Sequence, residues 1–270
     1  MRPGRFPLFL SFLLLVASCH PVQPDAPEDI DWTKAFDHKS LIINFTSSTC
    51  GWCPRMNESI RLAREQNPGK ILVMNVHGAG SAYPFDDRKP LFTQYNIYGY
   101  PTVIMDGRRL VNNGPSATTA VTISNYLKET EDNYPVSSTV SCRSSFSGQK
   151  LNIHLTAYLR DAAEYKVAVF VLEDGIAGTQ SNYEGDNFDN YIHDSVARIA
   201  VSDPLGDPFT TTEANSIRQF DYSVTVPSEY TKANLKILVA VQRRFGTQTV
   251  LSDNFGDYYI DNCSLSTAIQ

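Results

Sequence analysis

The chain has 270 residues, enough for one large or two ordinary domains with cores of their own. Its 42% hydrophobic, 11% aromatic and 19% charged residues are a globular balance, which excludes a disordered or fibrous protein. Basic residues number 23 against 29 acidic ones, for a formal charge of −6, and Lys and Arg are not clustered, so no electrostatic footprint for nucleic acid exists.

At the N-terminus Arg2 and Arg5 precede LFLSFLLLVAS, an apolar run too short to span a bilayer and suited to the core of a signal peptide. The run ends in VASC, Val16 to Cys19, which resembles the lipobox of bacterial lipoproteins. The resemblance makes residues 1–18 a lipoprotein signal peptide and Cys19 the lipidated mature N-terminus; the alternative is a plain secretory signal cleaved near Ala17. Residues 19–30, with Pro21, Pro24 and Pro27 among acids, cannot pack a core and form an extended tether. About ten such residues at ~3.1 Å each hold the next domain ~30 Å from a membrane. Lipid chains rather than a helix provide such an anchor.

Residues 31–133 alternate between strand and helix patterns. LIINF (41–45) and ILVMNV (71–76) are short apolar runs that fit buried strands. Between them PRMNESIRLAREQNPGK carries Met56, Ile60 and Ala63 at helical spacing and stops at Asn67-Pro68-Gly69. A loop and a short helix around Lys89–Tyr95 follow, then TVIMDGRRLVNNG reads as a hairpin turning at Asp106-Gly107. SATTAVTISNYLKETED closes the unit as a helix with Ser116 as N-cap and Val121, Ile123 and Leu127 among its buried residues.

Residues 134–270 carry strand patterns only. STVSCRSSF, KLNIHLTAYL, YKVAVFVLE, IRQFDYSVTV, NLKILVAVQR and TQTVLSDNF are separated by turn residues and suggest an antiparallel β-sandwich. The long piece from Gly175 to Ser216, rich in acids and aromatics, reads as loops. Two acidic segments there, EGDNFDNYIHD and DPLGDP, have carboxylates enough for calcium but lack EF-hand spacing, and solvated loops are the simpler reading.

Five cysteines are an odd number for an exported chain, and lipidation of Cys19 resolves the imbalance. The rest fall into two pairs, Cys50 with Cys53 and Cys142 with Cys263. If first and last sandwich strands are neighbours, Cys142 and Cys263 form a structural disulfide, closing a long loop worth about 5 kcal/mol. Cys50 and Cys53 follow a buried strand and open a helix, whose unpaired N–H groups and positive end stabilise a thiolate. Cys50 is then the nucleophile and Cys53, one turn in, the resolving thiol. Pro54 fits that first turn, where its missing N–H has no partner. Three readings of the pair stay open: an active dithiol, a permanent structural disulfide, or half a zinc site. Zinc lacks a second pair of ligands at suitable spacing, so neither metal nor cofactor is expected. His77, ending its strand, is a candidate to bias Cys50 toward thiolate or an ordinary loop histidine.

TCGWCPRM and YNIYGYPTVIMDG together resemble the thioredoxin superfamily. The resemblance makes Pro101 a cis-proline opposite the cysteines, and assigns Tyr100, through its backbone, and Trp52 to binding of a substrate strand. It also places Asn44 where thioredoxin has a buried acid, and Thr49 where it has a tryptophan, departures that leave the scaffold but not the proton carrier.

Lipobox, tether, CGWCP, His77, YPT, VLEDG (171–175) and YIHDSVARIAV (191–201) are similar, along nearly the whole mature chain, to the 28-kDa outer membrane protein family of Bacteroidetes lipoproteins. This implies an N-terminal thioredoxin-like domain, a C-terminal β-sandwich and a lipoprotein of the outer membrane, periplasmic or surface-exposed. Two functions remain open. One is thiol–disulfide exchange on exported proteins; the other is a non-catalytic surface protein that binds ligands and uses the thioredoxin fold as scaffold.

Overall fold

The computed structural model describes residues 31, 36–246, 253 and 255–268. The expected signal peptide, tether and Cys19 lie outside them, as does the strand expected in TQTVLSDNF apart from Asp253 and Phe255.

The chain is mostly β, built on mixed sheets with few helices. Strand β1 (Ser40–Thr46) leads into helix α1 (Cys53–Gln66), then come β2 (Ile71–His77), the short α2 (Arg88–Gln94), β3 (Thr102–Met105), β4 (Arg109–Val111) and α3 (Ser116–Asn133). β1 is buried throughout, as a continuous apolar run in the middle of a sheet should be. It pairs with β2 in parallel and with β3 antiparallel. α1 buries Met56, Ile60 and Ala63 against the sheet and ends at Asn67, whose backbone and side-chain N–H groups both donate to the Ala63 carbonyl. The expected hairpin turn is present, with φ of 52° at Asp106 and 68° at Gly107, the left-handed pair that a tight two-residue turn requires. Asp106 also ties the turn to its surroundings, accepting from Ser40 Oγ, the Leu41 N–H and Thr130 Oγ1. In α3, Ile123 and Leu127 are buried as expected, whereas Val121 is 51% exposed and Ser116 is the first helical residue, preceded by Pro115.

Beyond α3 the strands are β5 (Ser138–Ser147), β6 (Lys150–Leu159), β7 (Glu164–Glu173), β8 (Ile176–Gln180), β9 (Phe188–His193), β10 (Val196–Ala200), β11 (Asp207–Thr210), β12 (Ser216–Thr225), β13 (Leu235–Arg244) and β14 (Tyr258–Thr267). The Gly175–Ser216 segment, expected as loops, holds four of these. β8 and β9 form a separate two-stranded hairpin, and β10 and β11 both pair with β7. Short, half-exposed strands with few apolar residues leave little periodicity to read. β14 carries no strand signal in the sequence because Asp261 and Asn262 interrupt its apolar pattern. Both are buried and paired: Asp261 accepts from Ser137 and Ser138, and Asn262 donates to the Asp37 and Ser138 carbonyls.

The largest sheet has nine strands in the order β14-β13-β7-β10-β2-β1-β3-β4, with β11 beside β7. β10 forms the seam between the two halves, parallel to β2 and antiparallel to β7. One face of the β1–β4 region packs against α1 and α3 through Ile42, Val73, Val103 and Met105. A second core uses both halves, joining Phe45, Met74 and Val76 to Phe170, Leu172, Leu238 and Cys263. A third lies between β7–β13 and the three-stranded sheet β12-β6-β5, where Leu151, Ile153 and Leu155 meet Val167, Val169, Ile237 and Val239. That sandwich layer is antiparallel as expected, but its larger sheet continues into the first half of the chain.

Candidate functional site

β1 ends at Thr46, and a turn over Ser47–Trp52 carries the chain into α1 at Cys53. Within the turn the Cys50 N–H donates to the Ser47 carbonyl (3.1 Å) and the Cys53 N–H to the Cys50 carbonyl (3.2 Å). Cys50 and Cys53 are joined as a disulfide with Cα atoms 5.4 Å apart. Cys53 is wholly buried in the first turn of α1, Cys50 is half-buried, and Trp52 between them is 41% exposed. A nucleophile can therefore reach the pair only at Cys50. The Tyr100–Pro101 peptide is cis. Pairing of Phe45 with Thr102 sets Pro101 beside the end of β1, where the turn begins. The Tyr100 hydroxyl lies so close to Gly78, whose N–H donates to the Thr46 carbonyl, that a Cβ there would come within 1.5 Å of it.

His77 is not a cation beside the cysteines. It is 2% exposed, its Nδ1 lies 2.7 Å from Ser81 Oγ, and Ser81 Oγ donates to Ser48 Oγ at 3.2 Å. Burial, then His193 and Arg198, push its pKa down to about 3, so it is neutral at pH 7. His193 is its ring neighbour, with centroids 5.4 Å apart, and Tyr83 lies against both. Burial also lowers the His193 pKa; its ring bonds the Thr179 backbone while Nε2 is buried with no partner among the described residues. Asn44, fully buried, donates through Nδ2 to Asn57 Oδ1 (3.0 Å) and Asn75 Oδ1 (2.8 Å), and its own Oδ1 has no partner among the described residues. Asn57 donates in turn to the Tyr191 hydroxyl (2.9 Å) and Asn75 to the Asp194 carbonyl (2.6 Å). A cavity of about 130 Å³ opens here, lined by Asn57, Asn75, His77, Tyr191 and His193 among others.

Residues that sequence reasoning missed come from the second half. The segment following β8 lies along the cysteine turn. Gln180 Nε2, nearly inaccessible to solvent, donates to the carbonyls of Cys50 (2.9 Å) and Ser47 (3.3 Å). The Ser181 N–H donates to the Ser48 carbonyl and the Tyr183 N–H to the Gly51 carbonyl, each at 2.9 Å. The Tyr183 ring sits directly on Gly51, where any Cβ would meet it at 2.3 Å, and meets the Trp52 ring edge-on at 5.5 Å. Arg55 stacks over Trp52 at 4.7 Å and pairs with Glu184 at 3.3 Å. The sequence signal for this contact is the glycine in CGWC, which seats an aromatic ring.

The Cys142–Cys263 bridge expected from the sequence is not formed: both are free thiols. Strand neighbours do bring their elements together, since β5 packs on β14, but the side chains diverge. Cys263 points into the core shared by both halves, 3.2 Å from the Lys39 carbonyl, whereas Cys142 points into the sandwich core on the opposite face of the sheet. Burial raises the pKa of each, well above the ordinary value for Cys263. Of the two acidic segments, the first forms β9 and the turn before it. In the second, Asp203 and Asp207 accept from backbone N–H groups of their own turn. Among the described residues no three His, Cys, Asp or Glu side chains gather as metal ligands, and no helix is long and apolar enough to cross a membrane.

The family model described as Outer membrane protein Omp28 matches residues 88–252, a stretch that starts after the cysteines and includes the segment lying over them. None of the curated proteins matches the chain. Among solved structures, HBP35 of Porphyromonas gingivalis is similar with a TM-score of 0.68 at 16% identity, over 87% of this chain and 77% of that one. A protein of Agrobacterium tumefaciens matches at 16% identity over 86% of this chain and 95% of that one, with a TM-score of 0.47. At these identities the first likeness concerns the fold alone, and the second is too loose to argue from.

Proposed function

Because the chain belongs to the Omp28 outer membrane protein family, we propose that it is a lipid-anchored protein of the cell envelope whose Cys50–Cys53 pair exchanges disulfides with exported proteins. The family points to the outer membrane. The observation that carries the chemistry is the placement of the pair: a buried Cys53 in the first turn of α1 and a half-buried Cys50 just before it. Reduction leaves Cys50 where the positive end of the helix stabilises a thiolate. Attack by that thiolate on a partner disulfide forms a mixed disulfide, which Cys53 resolves. The βαβ start, the hairpin β3–β4 and the closing helix α3 support a thioredoxin-like reading of residues 31–133. Cys19 is the proposed anchor.

A second reading is a surface protein that uses this fold as a scaffold for binding. Asn44 favours it, since an amide held by two other amides cannot carry a proton for Cys53. One experiment separates the two. Protein with Cys53→Ser is expressed in cells and extracted from membranes, then analysed by non-reducing electrophoresis and intact mass. The exchange reading expects envelope proteins trapped on Cys50 and released by reductant, on a chain beginning at an acylated Cys19. No trapped partner leaves the scaffold reading, and a different N-terminus removes the anchor.

A further inference from the structure

The segment Gln180–Glu184 holds the cysteine turn in the way a partner chain would. Its backbone N–H groups and the Gln180 amide supply hydrogen bonds to the carbonyls of Ser47, Ser48, Cys50 and Gly51. Its Tyr183 ring occupies the surface over Gly51, and Glu184 clamps Arg55 on the far side of Trp52. Extended chains are commonly recognised through such main-chain bonds, so a protein presenting its sulfur along this turn competes with the strap for the same acceptors. A small dithiol needs only a path to the half-buried Cys50 sulfur.

We propose that Gln180–Glu184 is a steric selector for the Cys50–Cys53 pair, open to small dithiols and passed by a protein partner only when the strap is displaced. The proposal rests on the exchange reading given above and adds which class of reductant the pair accepts. In the step concerned, a thiolate of the dithiol attacks Cys50 Sγ and the Cys50–Cys53 bond breaks. Cys53 leaves as a thiolate and takes a proton. The second thiol of the dithiol, losing its proton, attacks the reagent's own sulfur in the mixed disulfide and releases Cys50 as a thiolate. Two electrons pass to the protein, and the reagent departs as a disulfide.

The test uses the full chain with its pair oxidised. Reduction by dithiothreitol and by reduced thioredoxin is timed by alkylation and mass analysis of the peptide containing Cys50 and Cys53. The same is done with the double variant Tyr183→Ala and Glu184→Ala, whose side chains are largely exposed, and with Gln180→Ala. Loss of these contacts is expected to raise the rate with thioredoxin by about ten-fold while the rate with dithiothreitol changes by less than about two-fold. Equal changes with both reagents, or none, overturn the selector and leave the exchange reading standing. Resistance of the pair to both reagents in every form of the protein overturns the exchange reading itself, and the selector with it.

Discussion

His77 and His193 face each other inside the protein, with Tyr83 against both rings, and with Arg198 adding positive potential the fold accepts the His77 imidazole as a neutral group. Desolvation is the leading cause for both, and for His193 it outweighs the Thr179 backbone bond and the nearby Asp194, which favour the charged form. The sign of the pH effect follows. A histidine whose folded pKa lies below its unfolded value contributes stability that is complete above the unfolded pKa near 6.5 and is lost as pH falls toward about 3, because the unfolded chain binds the proton first. Thermal melts from pH 7 to pH 4 are expected to lose stability by up to about 1.4 kcal/mol per pH unit from His77 alone. His77→Gln should flatten that slope, and a slope unchanged in His77→Gln would assign acid sensitivity elsewhere. The sequence offered His77 as a group near the cysteines but not its charge state, because its ring partner is 116 positions away in a segment without strong periodicity.

The hairpin β8–β9 matters more than its composition suggests. It delivers Gln180 and Tyr183 to the cysteine turn, and Tyr191, His193 and the following Asp194 to the amide cluster around Asn44. It is seated by a close contact at Gly178, where a Cβ would meet the Tyr83 hydroxyl at 1.9 Å, while that hydroxyl donates to the Ala177 carbonyl. Gly178→Ala should therefore loosen the hairpin, with faster amide exchange at Ser181 and Tyr183 and a cost of about 1–3 kcal/mol from overpacking. Unchanged protection at those two amides would mean that Tyr83 swings aside freely. At this scale legibility divides by kind of element. β1, α1, β2, the β3–β4 turn and the strands β5, β6, β7, β12 and β13 are legible because each carries a full period of apolar residues or a turn pair. β8 to β11 are not, since they are short and half-exposed, and their partners are fixed by tertiary contact. The same holds for the free thiols. β5 and β14 pack on one another from different sheets, but side chains alternate faces residue by residue, and Cys263 takes the face away from Cys142.

The nine-stranded sheet makes the first half of the molecule incomplete without the second. Strand β2 has β1 on one side and β10 on the other, and the Asn75 N–H donates to the Ser195 carbonyl at 2.8 Å. A fragment of residues 31–133 would leave β2 as an open edge and strip Met74, Val76, Phe85 and Leu91 of the core they share with Phe170, Leu172 and Leu238. Size-exclusion chromatography of that fragment should show dimers or aggregates, whereas a folded monomer would show that the shared core is dispensable.

β10 has a further consequence, for the order in which the protein is made. The side chain of Asn75 and its acceptor at Asp194 are separated by 119 positions along the chain. At roughly 5–20 residues per second, a ribosome needs about 6–24 seconds after producing β2 to produce its partner. For most of that interval β2 has no β10 beside it, and the cysteine pair has no Gln180–Glu184 segment across it. An oxidant that meets the cysteines before Gln180–Glu184 is made meets them uncovered.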